Sequence, residues 1–251
     1  MGGNDYKTIG EILEKESQLF YAAESKYGEF FRNAANFNGL LQNFIKEPKT
    51  MSGIFAIFLS QLKKHNVLAL LSVVRLHHIQ AMLNLRLVLE AGANAAYALA
   101  NPNQEDFVKD NDIGILDSPQ KLTGKRYKWL DENYSAGSSA IKNMKNTINE
   151  SCAHSNIIYE IKNNGISENN EQVILETPFF DPEDEYSIKT DLWMIGNISL
   201  ILMALFNEIN KKSGLLIFTD IFIRDLLDLE KENHRLKEDI LHHTYNFVNQ
   251  A

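Results

Sequence analysis

Apolar positions recur along most of this chain at helical spacing. Thr8 followed by Glu11 forms a capping box, in which each side chain satisfies a backbone N–H at the start of a helix. Ile12, Leu13, Leu19, Phe20, Tyr27, Phe30 and Phe31 then predict a first helix to about residue 34, with a shorter apolar piece from Phe37 to Ile45. Pro48 interrupts the pattern, and Ser52 is a good N-cap for "GIFAIFLSQLKKH". That segment leads through Asn66 into "VLALLSVVRLHHIQAMLNLRLVLEAGANAAYALA", so the spacing predicts one long helix up to the stop at Asn101 and Pro102.

Pro119 opens a helix to about Tyr134, and another is predicted from about Ser138 to Ser155. The pattern then changes. In "NIIYEIKNNGISENNEQVILETPFF" two β-branched runs flank Asn and Gly residues, which predicts a β-hairpin over about 157–177. Asp181 and Pro182 restart a helix with an acidic first turn that runs to about Lys212, Gly214 ends it, and the last helix covers about 215–248. The chain therefore reads as mainly α. It is an antiparallel helical bundle with one small β-hairpin insertion, a single domain over 1–251 with an N-terminal helical extension (about 8–46) and a long C-terminal helix.

Composition sharpens this picture. With 251 residues, 44% of them apolar and 23% charged, the chain can bury a real core without disulfides or metal staples. Its longest uncharged apolar run, "LWMIGNISLILMALFN", is shorter than the roughly 20 residues a spanning helix needs, so no membrane span is expected. "MGGNDYKTIG" lacks the features of a secretory signal and Cys152 is the single cysteine, which together lead to an expected cytoplasmic location. The net charge of −8 arises wholly in residues 151–251 and disfavours bulk nucleic-acid binding. Locally, however, "KLTGKRYKW" sets Lys121, Lys125, Arg126 and Lys128 around Tyr127 and Trp129, a mixture suited to single-stranded RNA and equally to a solvated helix face over two core aromatics.

Candidate chemistry centres on charge placed among apolar residues. On a helical wheel Arg75, Arg86, Glu90, Asn94 and Tyr97 share one face, while Ala91, Ala95 and Ala98 share another. Arg75 and Arg86 would stand about 16 Å apart along one axis, too far to clamp one small anion. Arg86 and Glu90 are an i, i+4 pair, expected to be buried because Leu85, Leu87 and Leu89 flank Arg86. A second stripe holds Asn143, Thr147, Glu150 and His154; it reads either as a solvated face or as a site in which Glu150 orients His154 for acid–base work on a phosphodiester. No Glu-x-x-His, His-Glu-x-x-His, Cys-x-x-Cys or glycine-rich phosphate motif occurs, and the adjacent pair His77 and His78 should splay apart, so no metal or cofactor is expected.

The order of features resembles helical bacterial proteins related to the HEPN group: a long helix with "NLRLVLEAGANAAYAL", a helix ending "NESCAHSN", a hairpin, then two helices. The resemblance covers roughly residues 50–210 and rests on Arg86, Glu90, Tyr97 and His154. It implies a helical bundle, often dimeric, and a metal-independent ribonuclease of toxin or phage-defence systems working through an Arg-x(4–6)-His motif. Here Thr147, Ile148 and Asn149 stand at the positions where that spacing from His154 would require Arg, and only Arg235 with His242 satisfies it.

Three readings follow: a ribonuclease or RNA-binding relative using His154, Arg86 and Glu90; a noncatalytic homodimeric interaction or scaffold protein; and a small-anion sensor built on Arg86. Dimerisation has its own candidate, a heptad seam on the last helix. Leu226, Asn233, Ile240 and Phe247 stand at a, and Phe222, Leu229, Leu236 and His243 at d, with Asn233 as the register-setting polar residue.

Overall fold

A computed structural model describes residues 8–48, 53–110, 116–117, 120–151, 165–169, 172–176 and 178–248. Helix α1 (Ile9–Asn43) starts on the expected capping box, with the Glu11 amide donating to Thr8 Oγ1 at 3.2 Å and the Thr8 amide to Glu11 Oε2 at 3.3 Å. It continues past residue 34 to Asn43, absorbing a kink at Gly28, whose φ of 53° only glycine adopts without strain. Tyr27, Phe30, Phe37 and Leu41 bury one face of α1, so it belongs to the core rather than extending from it.

The predicted long helix from residue 53 to 100 is two helices. Helix α2 (Gly53–Val74) ends in a turn, and α3 (His78–Ala100) runs back along it as an antiparallel hairpin. Leu76 makes the reversal with φ 62°, an uncommon conformation for a branched side chain. Two distant groups hold it there: the Asp181 amide donates to the Leu76 carbonyl at 2.9 Å, and the His78 amide donates to Asp181 Oδ2 at 2.5 Å. Periodicity is blind to such a break because the apolar pattern continues through it. Arg75 accordingly leaves the face it was assigned with Arg86.

Helices α4 (Gln120–Asn133) and α5 (Ser135–Ser151) pack as a pair against α3. Helix α6 (Glu185–Ser213) begins with Asp184 accepting from the Tyr186 amide and ends at Gly214 with φ 62° and ψ 21°, the left-handed stop its glycine permits. It is the central element, contacting α1, α2, α3, α5 and the last helix α7 (Phe222–Val248). Among the described residues three short antiparallel pairs complete the bundle. β1 (Ile45–Pro48) joins β6 (Leu216–Phe218), β2 (Lys109–Asp110) joins β3 (Leu116–Asp117), and β4 (Gly165–Asn169) with β5 (Gln172–Glu176) forms the hairpin inside the predicted 157–177 segment. The protein is thus a mainly α bundle carrying a small β-hairpin.

From Phe222 to Ile240 the heptad stripe of α7 packs on its own bundle. Phe222, Leu226, Asn233 and Leu236 are buried, and Asn233 accepts from Asn33 Nδ2 of α1 at 2.9 Å and donates to Asn197 Oδ1 of α6 at 3.4 Å. The register-setting Asn therefore works within the chain, and the seam proposed for a dimer is occupied. Among the described residues two helices, α2 and α6, are long and apolar enough to cross a bilayer by length and composition; 28% of the apolar window of α2 and 61% of that of α6 lie inside the bundle.

The small-residue face of α3 allows α6 to approach closely. A Cβ on Gly92 would meet Leu202 Cδ2 at 2.5 Å, whereas one on the exposed Gly39 of α1 would meet nothing within 4 Å. Gly92→Val is expected to cost about 1–3 kcal/mol by overpacking. Gly39→Ala is expected to stabilise by about 0.5–1 kcal/mol through helix propensity. Urea midpoints of the two variants check both signs.

Candidate functional site

The polar stripe of α3 faces α4 and α5. Arg86 Nε lies 3.4 Å from Glu90 Oε1, and the same oxygen takes Lys145 Nζ of α5 at 2.8 Å. The Arg86 and Glu90 side chains are 36% and 37% exposed, so the pair forms as expected but at a half-open edge rather than in the core. Burial alone would raise the Glu90 carboxyl, but Lys145 and then Arg86 overcome this and hold it below the usual glutamate range. One turn further along, Asn94 Oδ1 accepts from Arg126 Nε at 2.8 Å.

Arg126 is only 4% exposed, which corrects its assignment as a nucleic-acid contact. Besides Asn94 it donates to the Asp106 carbonyl at 2.8 Å and to Thr123 Oγ1 at 3.1 Å, with its guanidinium 5.0 Å from the Phe107 ring centre. The Asp106 side chain accepts from Tyr97 Oη at 3.0 Å and is paired with Lys125; the Lys125 hydrogen bond, the largest influence, and the Tyr97 hydrogen bond hold its carboxyl below the usual range against the opposing effect of burial. Trp129 meets the Tyr97 ring edge-on. Of the four basic residues in this patch, Lys121, Lys125 and Lys128 are exposed, Lys125 held by Asp106 and Lys128 at 3.8 Å from Glu132. The aromatic–cation mixture of α4 is therefore mainly a clasp onto α3.

His154 and Cys152 lie outside the described residues. The rest of the second stripe, Asn143, Thr147 and Glu150, is exposed, while Ile141 and Ile148 on the opposite side are buried. Arg235, the arginine with the spaced histidine, is engaged by Glu29, Glu232 and Asp239 on the surface between α7 and α1.

A different constellation forms at the α2–α3 corner. His77 Nε2 lies 2.9 Å from Glu16 Oε1 of α1, and Arg75 Nη1 lies 3.3 Å from the other oxygen of that carboxylate. His78 Nδ1 lies 2.5 Å from Asp191 Oδ2 of α6, a separation that requires a proton between them. The two histidines splay apart, as adjacent residues should. Asp191 is buried; desolvation pushes its carboxyl above the usual aspartate range, opposed by His78. His77 stacks on Phe180 at 5.5 Å between ring centres and meets Phe179 edge-on. Beside it, Leu13, Ser17, Phe20, Leu71, Arg75 and Glu16 line an open groove of about 280 Å³. A histidine held by a carboxylate is a general acid–base unit, and an arginine beside it suits an anion. Sequence reasoning missed this group because its members come from α1, the α2–α3 turn and α6, and the turn itself was invisible. Among the described residues, no group of three or more His, Cys, Asp or Glu side chains could hold a metal ion.

Because Glu90 keeps Lys145 when Arg86 is removed, Arg86→Ala is expected to cost about 1 kcal/mol or less, as for an exposed pair. Arg126→Ala should cost about 3 kcal/mol, since it leaves Asn94 and the Asp106 carbonyl without their donor. Urea titrations of the two variants give the ranking. For pH the sign follows from the lowered Glu90 carboxyl: its contribution is present above the ordinary glutamate pKa of about 4.3 and disappears as pH falls through the lower folded value. Glu90→Gln should therefore flatten the acid side of the stability–pH curve relative to wild type.

A scan against protein-family models, a search of curated proteins and a search of solved structures each find no match to this chain.

Proposed function

We propose that this chain is a noncatalytic helical interaction protein. The observation that carries this reading is the engagement of most of the described charges nominated for chemistry, Lys121 and Lys128 excepted. Arg86 and Glu90 bind each other and Lys145, Arg126 is buried against Asn94, and Lys125 is paired with Asp106. A small-anion sensor built on Arg86 loses support for the same reason, since Glu90 already occupies the guanidinium. Meanwhile large apolar side chains stand exposed on several helices, among them Ile57, Leu83, Leu87, Leu227 and Leu241. Such side chains, rather than a charged cleft, are what a partner surface needs.

A second reading has one specific support. The HEPN-like resemblance implies a metal-independent endoribonuclease, possible only if acid–base groups and a cation meet at one place. Arg75, His77 and Glu16 do meet beside a groove, although they are not the residues the resemblance nominated. One experiment separates the readings. Labelled single-stranded RNAs incubated with purified protein and chelator are expected to remain intact, with no saturable anisotropy change and no effect of the double variant Lys121→Glu, Lys128→Glu. Cleavage that disappears in His77→Ala or His154→Ala while the circular dichroism spectrum is retained would overturn the interaction reading in favour of the nuclease.

A further inference from the structure

The buried stripe of α7 leaves another face of the same helix uncovered. Ile223, Leu227 and Leu241 are 45%, 49% and 51% exposed. With the exposed His234 they fall within an arc of about 40° on the helix, spread over about 27 Å of its length. Glu230 and Lys237 flank this stripe on one side, and Arg224, Lys231 and Glu238 on the other. Among the described residues Glu230, His234, Lys237 and Glu238 take part in none of the ion pairs, in contrast to Arg86 and Glu90 on α3 and Lys125 on α4. Among the described residues Arg224 pairs only with its chain neighbour Asp225, leaving the side chain 68% exposed.

We infer that this outer face of α7 is a homodimer interface, on which a second copy of the chain packs antiparallel about a two-fold axis at the level of residue 232. This rests on the interaction-protein reading and names the partner. Charge order decides both occupant and direction. An isologous antiparallel contact brings the start of each helix against the end of the other. Ile223 then meets Leu241 of the second copy, and Leu227 lies along the aliphatic stem of its Lys237. On one flank Arg224 opposes Glu238, and on the other Glu230 opposes His234 and Lys237; each contact occurs twice by symmetry. The one like-charge meeting is Lys231 with its own copy near the axis, and each Lys231 is already neutralised by Asp228 at 3.2 Å. The seam read from the sequence would have been parallel and used the buried face. This one uses the face that folding leaves free.

Light scattering and sedimentation equilibrium of the full chain test the inference. Wild type is expected to be dimeric. Leu227→Glu should raise the dimer dissociation constant about a hundredfold while leaving the thermal midpoint of the monomer unchanged, because the residue is exposed there. Arg224→Glu and Glu238→Arg should each weaken the dimer about fivefold or more, and the double variant should restore it. A monomeric wild type, a dimer indifferent to Leu227→Glu, or a double variant no tighter than either single variant would each overturn the interface. The result stands apart from the RNA assay, whose failure or success bears on catalysis alone.

Discussion

The bundle depends on the reversal at Leu76. An apolar pattern that would otherwise run on as one helix is folded back by two carboxylates from much later in the chain: Asp181 takes the α3 amide and Asp191 takes the His78 ring. Burying Asp191 is costly unless it has a hydrogen-bonded partner, and His78 is available to it only when α3 begins at that residue. The carboxylate and the turn therefore require each other. Glu16 adds a third tie by engaging Arg75 and His77, so α1, α6 and the hairpin meet at one corner.

Once α2 and α3 lie antiparallel, the two faces of α3 acquire different tasks. Its glycine and alanine face admits α6 closely enough for Leu202 to rest on Gly92. Its polar face receives α4 and α5 through Glu90, Asn94 and Tyr97. An apolar helix carries Arg86 and Glu90 because the pair marks the edge where α5 docks, and Lys145 completes it. Buried and half-buried polar side chains do the same work elsewhere. Asn33, Asn197 and Asn233 tie α1, α6 and α7 in register, while Asn38, Asn66 and Ser199 tie α1, α2 and α6. Polar groups in such a core specify alignment that apolar contacts alone leave loose.

This division of labour bears on function. Arg86, Glu90, Lys125 and Arg126 have internal partners, so they are poor candidates for ligand contacts. The helix at the margin, α7, carries exposed apolar positions flanked by charges of both signs with few internal partners. The corner at His77 is the exception, an acid–base pair near the surface whose carboxylate also serves the fold.

Helix content, the capping box at Thr8, the glycine stop at Gly214 and the hairpin near residues 165–176 were legible in the sequence because each rests on local backbone chemistry. So was the pairing of Arg86 with Glu90, which one helical turn dictates. Tertiary structure alone decided where the long apolar segment breaks, that Arg126 points inward, and which face of α7 is buried. Those outcomes depend on groups separated by tens to hundreds of residues. Periodicity reports that a helix has an apolar face, but two faces of α7 are partly apolar, and only the arrival of α1 and α6 determines which one is covered.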